Sequence, residues 1–456
     1  MSVGVDTSTA GAKNDTVALD YVSNGTGTSG LGNTNVGSQV LNVSGNVYNV
    51  AVGQMSPSPV TLANQRVGGS NAQQLTVQNT APVGAFSEAL NASFGGNTGA
   101  ATNNGGSVVN LIAGGANNTN LSVGVNTATA GAQAGTVTLN YQTDGTGPNG
   151  NSGLAAISAG SQVINVTGNV YQAAVAQVAP TTLNFGIVHV GDVVGPQALS
   201  VSNTAQVVGL NDVLTGSFGG ASGPFVASGT LGAGVAAGTT NSTSLTATLS
   251  TAIAGVFNST ASVNLASHNP EMADLSLGTT NILLEARVNN FANPVFLRTS
   301  GGGVLSSGGT SYLLDFGTVA QGSGLLSALL GVQNDVAGPA DLLDGNFAFN
   351  FGILQDFGFS GFNPFTDLNA LQIFAGLQVL FNPTSTGVFT DQVLLVDLLG
   401  HNASGFAGSL ADIILDIHVE VTGGSEPVPE PGTLLLLATG VLALGLYTAR
   451  RRQRRL

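Results

Sequence analysis

The chain has 456 residues, too many for one ordinary domain, and only 7% of them are charged. Nine basic residues stand against 23 acidic ones, and five of the nine fall in the last seven positions; the body before Arg450 is therefore acidic and repels phosphate backbones, which argues against nucleic acid as a partner. Cysteine is absent, so no disulfide scaffold is possible, while 43% hydrophobic residues suffice for packed cores.

Residues 1–57 hold short runs of alternating polarity, such as VALDYV, which predict half-buried β-strands. The first 20 residues have neither the basic start nor the apolar stretch of a signal peptide. Gly25-Thr26-Gly27-Thr28-Ser29-Gly30 fits G-x-G-x-x-G, as does Gly145-Thr146-Gly147-Pro148-Asn149-Gly150. Each is followed by a further strand pattern rather than a helix, so both are expected to be hairpin loops, not dinucleotide sites.

A repeat of about 120 residues then becomes visible. Ser2–Val5 matches Ser122–Val125, and TVALDY (16–21) matches TVTLNY (136–141). GSQVLNVSGNVY (37–48) matches GSQVINVTGNVY (160–171), LTVQNTA (75–81) matches LSVSNTA (199–205), and SFGG recurs at 93–96 and 217–220. A more diverged copy aligns TLNFGIVHVG (182–191) with LLDFGTVAQG (313–322), and Asn203 with Asn334. LQVLFNPTSTG (377–387) falls on LSVGVNTATAG (121–131), with LTATLSTAIAG (245–255) a further instance. A near-constant register means tandem duplication. Three units are expected, at 58–178, 179–297 and 312–423, with a Gly/Ser-rich linker at 298–311. Residues 1–57 read as the C-terminal half of a further unit. The expectation is that the chain begins inside a longer protein whose earlier part carries the signal and the rest of that unit; an unstable stub is the alternative.

Each unit is predicted to be an antiparallel β-sandwich, because short alternating strands are separated by Gly, Asn, Ser and Thr clusters and helical periodicity is scarce. The fold class is all-β: tandem Ig-like sandwiches followed by one C-terminal transmembrane helix. Leu183 and Phe185 are expected in a core, Gly186 at a bend or bulge, and Asn203 where a turn begins. Twelve of the 20 Phe lie in 312–423, eight of them between Phe347 and Phe374. That segment is read as an insertion packed on the sandwich, since a large exposed aromatic patch invites aggregation; an exposed ligand-binding loop is the alternative. A short helix is expected near Thr366–Ala375.

No motif carries catalysis. There is no G-x-S-x-G elbow and no P-loop. His189, His268, His401 and His418 have no partner at metal-ligand spacing in sequence, and His189 and His418 are taken as structural. Asp341 and Asp344 near Asp335 lack the D-x-[DN]-x-[DN]-G pattern of a calcium loop. The chain is expected to be no enzyme and to use no metal or cofactor.

Residues 424–456 form the tail. Pro427, Pro429 and Pro431 predict an extended approach. From Leu434 to Ala449 no residue is charged, and a helix there is roughly 24 Å long, near the limit for a bilayer. Leu434, Leu435, Leu436, Leu437, Val441, Leu442, Leu444 and Leu446 form the expected membrane span. Arg450, Arg451, Arg452, Arg454 and Arg455 then hold the C-terminus in the cytoplasm and leave the acidic body outside.

Pro429-Glu430-Pro431, an apolar helix and a terminal arginine cluster resemble, in that order, the PEP-CTERM sorting signal of Gram-negative bacteria that make exopolysaccharide. The resemblance implies that exosortase, a membrane enzyme, recognises Pro429, Glu430 and Pro431. It also implies an inner-membrane intermediate with the body outside the cytoplasm, then a cell-surface or extracellular product. The elements at 183–191, 199–203, 314–322, 332–334 and 377–387 resemble the Ig-like domains of the choice-of-anchor D family, related to the ASPM–SPD-2–Hydin group. Ala63-Asn64-Gln65 departs from that pattern in the first unit. Together these point to a structural or adhesive surface protein, with exopolysaccharide or other surface proteins as partners. A non-catalytic stalk for an enzyme domain lying upstream is the alternative.

Overall fold

The computed structural model describes residues 1–149, 151–350, 355–424 and 433–452, the last stretch with side chains at 440–448 and 450. Among these residues alternating sequence becomes strand, and the strands gather into three β-sandwiches preceded by one hairpin and followed by one helix.

The hairpin is β1 (Gly11–Ser23) with β2 (Thr34–Val47), antiparallel from Gly11↔Val47 to Ser23↔Thr34. The first sandwich contains β3 (Gly53–Ser56), β4 (Val60–Thr61), β5 (Gln65–Arg66), β6 (Gln73–Asn79), β7 (Ala89–Gly99), β8 (Ala101–Asn103), β9 (Ser107–Leu111), β10 (Ala116–Val125), β11 (Gly131–Asp144) and β12 (Ile157–Tyr171). Its sheets run β3-β6-β10-β8 and β4-β12-β11-β7-β9, with β5 also beside β12. The second contains β13 (Ala176–Ala179), β14 (Thr182–His189), β15 (Gln197–Ala198), β16 (Ser200–Asn203), β17 (Val213–Gly219), β18 (Phe225–Ser228), β19 (Thr240–Asn241), β20 (Thr246–Leu249), β21 (Gly255–Asn269) and β22 (Met272–Asn289). Here β14-β22-β21-β17 forms one sheet, and β13-β16-β19 and β15-β20-β18 are two shorter ones. The third contains β23 (Pro294–Gly301), β24 (Val304–Gly308), β25 (Ser311–Ala320), β26 (Leu326–Asn334), β27 (Leu342–Asn350), β28 (Gly358–Ser360), β29 (Phe365–Leu368), β30 (Ile373–Phe381), β31 (Gly387–His401), β32 (Ala407–Ser409) and β33 (Ile413–Thr422). Its sheets are β23-β26-β30-β28 and β24-β25-β33-β31-β27-β29, with β32 on β31.

Each sandwich encloses its own apolar cluster. The repeat is visible inside these cores: Leu121, Leu245 and Leu377, equivalent in sequence, are all fully buried. Period-2 alternation explains this, because a strand with one wet face sends every second side chain inward.

The strands are not all antiparallel. In each sandwich an early strand lies parallel to the last: β4 and β5 to β12, β14 to β22, and β25 to β33. The chain enters antiparallel in one sheet (β3 on β6, β13 on β16, β23 on β26) and then crosses to the other. In β14 the register shifts between Asn184 and Ile187, where Gly186 has φ 75°; in β25 it shifts between Asp315 and Thr318, where Gly317 has φ 72°. The bulge expected at Gly186 is therefore present, and glycine supplies the left-handed backbone it needs.

Three expectations change. Residues 298–311 are not a linker: they belong to β23, β24 and the start of β25, all paired within the third sandwich. Their glycines and serines mimic a loop in composition, but β23 is held by seven paired positions on β26. The sandwiches consequently begin at β3, β13 and β23, earlier than positions 58, 179 and 312, because the opening strands of the first two have only four residues and leave little pattern. No helix forms at 366–375; β29 and β30 flank a tight turn, with Leu371 at φ 60°.

The Phe-rich segment packs inward. Phe347, Phe357 and Phe365 are buried in the third core, and Phe359, Phe362 and Phe374 pack against it. Phe357 is 2% exposed and lies 4.9 Å from the Phe381 ring. Phe351 lies outside the described residues. Gly25–Gly30 lies between β1 and β2 and Gly145–Asn149 between β11 and β12, both antiparallel pairs, and among the described residues no helix follows either; Gly150 lies outside the described residues.

Candidate functional site: the sandwich junctions and the tail

The polar residues that the cores exclude collect where one sandwich meets the next. Asn79, Asn203 and Asn334 end β6, β16 and β26 and are fully buried. The Asn203 side-chain oxygen accepts from the N–H groups of Val175 (3.0 Å) and Ala205 (3.2 Å), while its Nδ2 donates to the Val235 carbonyl (3.1 Å). Asn79 accepts from Val52 and Ala81 and donates to the carbonyls of Glu88 and Leu111. Asn334 accepts from Asn293 and donates to the carbonyls of Asp341 and Leu368. Each Asn thus grips the incoming connector. Its amide satisfies buried backbone groups that would otherwise be left unbonded. The expected reason for Asn203, tolerance of turn geometry, is replaced by this hydrogen bonding; its φ is not positive.

A second repeated feature clamps the connector. Asn49 N–H donates to the Phe86 carbonyl and the Asn49 carbonyl accepts from Glu88; Gln172 does the same with Leu210 and Asp212, and Asn290 with Pro339 and Asp341. A carboxylate therefore stands at the same place three times: Glu88, Asp212 and Asp341, all buried.

At two junctions that carboxylate meets a cation-forming side chain from the preceding sandwich. Arg66 Nε lies 2.5 Å from Asp212 Oδ2, and Ser267 and Asn269 donate to the same carboxylate. Arg66 also donates to the carbonyls of Ala273 and Ser267. His189 Nε2 lies 2.7 Å from Asp341 Oδ2, and Asn289 and Asn402 donate to Asp341 Oδ1. The His189 ring stacks on Phe291 at 4.2 Å and tilts against Phe406 at 4.3 Å. His189 is therefore structural, and its role is to join two sandwiches. Sequence reasoning missed these pairs because their members lie 146 and 152 positions apart.

Asp344 on β27, Asp367 on β29 and His401 on β31 are the one group found among the described residues whose ligand atoms, all within 4.8 Å, can hold a metal ion. His401 Nε2 is 3.1 Å from Asp344 and 3.5 Å from Asp367, and the Asp367 N–H donates to Asp344. One imidazole and two carboxylates suit a divalent ion, but these donors already bond one another. Asp335 and Asp341, near Asp344 in sequence, do not belong to this group. His418 bonds Asp315 at 2.8 Å; that bond and the Gly317 N–H hold the Asp315 carboxyl below its ordinary range. His268 pairs with Asp274.

The tail is only partly within the described residues. The helix α1 (Thr433–Arg452) covers the expected 434–449 and runs on through Arg450, Arg451 and Arg452. Val441, Leu442, Leu444 and Leu446 are exposed on it. Pro429, Glu430, Pro431, Arg454 and Arg455 lie outside the described residues, as do the side chains of Leu434, Leu435, Leu436 and Leu437. Among the described residues no helix is long and apolar enough to cross a membrane.

Residues 427–453 match the PEP-CTERM protein-sorting motif. The motif implies processing by exosortase and sorting to the cell surface. Its match begins at Pro427 and ends among the arginines, so it includes Pro429, Glu430 and Pro431. No curated protein matches the chain. Among solved structures, mouse cadherin-23 EC22-24 is similar at 12% identity and TM-score 0.39, over 82% of this chain and all of that one. Protocadherin gamma B2 extracellular cadherin domains 1-5 are similar at 12% identity and TM-score 0.40, over 91% of this chain and 67% of that one.

Proposed function

We propose that the chain is a non-catalytic structural or adhesive component of the cell surface or its exopolysaccharide matrix, displayed through its PEP-CTERM tail. The observation that carries this reading is the sorting-motif match at 427–453, joined to a body of repeated sandwiches. The Ig-like character of the choice-of-anchor D resemblance belongs to the same proposal and accounts for a body built from sandwiches that carry no catalytic constellation in sequence.

In this reading the apolar stretch at 434–449, part of whose side chains lie outside the described residues, lodges in the inner membrane, with the arginines after it in the cytoplasm and the acidic sandwiches outside. The exposed Val441, Leu442, Leu444 and Leu446 support that placement. Exosortase then recognises Pro429, Glu430 and Pro431, and the body passes to the surface or the medium. Stacked sandwiches with pinned connectors serve as spacers.

Cell fractionation with and without exosortase tests this. With the enzyme, a body shortened at its C-terminus is expected at the surface or in the medium. Without it, or with Glu430→Ala, the uncut chain stays in the inner membrane. Recovery of the intact chain from the cytosol in both strains overturns the proposal.

A further inference from the structure

The first junction is built like the other two but lacks one part. Its connector is clamped in the same way by Phe86 and Glu88, and Thr143 Oγ donates to Glu88 as Ser267 Oγ does to Asp212. Ser152 Oγ bonds the other Glu88 oxygen. Among the described residues no Arg, Lys or His side chain pairs with Glu88, although Arg66 and His189 fill that role for Asp212 and Asp341. Beside Glu88 lies an open cavity of about 630 Å³ whose lining includes Asn46, Val47, Tyr48 and Leu154.

The hairpin in front of this junction shows the matching gap. Its strands repeat β11 and β12 in sequence and in pairing, yet much of its inward face is exposed. Tyr21 is 47% exposed where Tyr141 is 3%, and Leu41 is 44% exposed where Ile164 is fully buried. Val3 and Val5 are exposed where Val123 and Val125 are buried. Around β11 and β12 that face is covered by β3-β6-β10-β8, and β4 and β5 lie along the outer edge of β12. Among the described residues β2 pairs only with β1.

We infer that the hairpin face, the free edge of β2 and Glu88 are one docking surface. Its occupant is a half-sandwich patterned like residues 53–121: a sheet that covers the hairpin, and an edge strand parallel to β2. That strand brings an Arg, Lys or His side chain opposite Tyr48, as Arg66 stands opposite Tyr171 and His189 opposite Asn289. The cation enters the cavity and pairs with Glu88. A second copy of this chain does not fit, because its own 53–121 segment already covers β11 and β12. Two bare hairpins face to face bury only about 400 Å² each, half of the roughly 800 Å² per partner of a stable interface.

The test fuses a second copy of residues 53–121 ahead of Ser2 in the full chain, and in a second variant a copy of residues 176–245, which carries His189 in place of Arg66. Amide hydrogen exchange of β1 and β2 is expected to slow at least tenfold relative to the 456-residue chain in one or both. Glu88→Gln is expected to speed exchange of residues 48–52 several-fold more in the protected fusion than in the unfused chain, where among the described residues Glu88 accepts only the Thr143 and Ser152 hydroxyls. The inference is overturned if neither fusion protects the hairpin, if Glu88→Gln leaves exchange at 48–52 unaltered in the fusion, or if the unfused chain sediments as a dimer with β1 and β2 already protected.

Discussion

Asn203 bonds three backbone groups without exposing any surface, and Asn79 and Asn334 repeat the arrangement. Truncation would leave buried N–H and C=O groups with no water to take them, which costs more than the net worth of the bonds made. Asn203→Ala is therefore expected to destabilise the second sandwich by about 2–3 kcal/mol in urea unfolding. A loss under about 0.5 kcal/mol, the size of an ordinary surface substitution, would show that the amide is dispensable. The sequence marks these positions through the repeated Gln-Asn, Ser-Asn and Gln-Asn pairs at 78–79, 202–203 and 333–334. It does not say that the side chain turns inward, because the groups it satisfies come from connectors up to 41 residues away.

At the scale of elements, the Phe-rich stretch shows how composition misleads. Eight Phe in 28 residues look like an adhesive surface, yet β27, β28, β29 and β30 fold most of their described rings onto the third core. Phe357 stacks near Phe316 and Phe381 with almost no exposure. Phe357→Ala is expected to cost the third sandwich about 3–5 kcal/mol and to leave the melting of the other two unchanged. Retained stability together with lost adhesion would instead favour a binding loop. The hairpin loops at Gly25 and Gly145 were legible from the strand patterns on either side of them, as was the Gly186 bulge, since each depends on local backbone preference. The strands at 298–311 were not, because pairing with β26 and β33 supplies what their Gly- and Ser-rich sequence lacks.

For the whole molecule, the junctions decide whether tandem sandwiches behave as a spacer or as beads on a string. Asp212 is fully buried and receives Arg66, Ser267 and Asn269. Removing one member of such a pair strands the other, at a cost of about 3–5 kcal/mol. Asp212→Ala is expected to loosen the first two sandwiches from each other. Small-angle scattering would then show a broader distribution of dimensions while circular dichroism keeps its strand signal. An unchanged scattering profile would mean that the backbone clamp at Gln172 suffices alone.

The sequence by itself determined the all-β class, the duplication and the sorting tail, because strand alternation, repeat register and a terminal Pro-Glu-Pro, apolar, arginine order are properties of neighbouring residues. Only the tertiary structure decided where each sandwich begins, which strands run parallel, and which acid meets which base. The parallel strands and the junction pairs join residues more than 100 positions apart, such as Thr61 with Thr167 and Arg66 with Asp212, whose energy comes from burial that no local window contains.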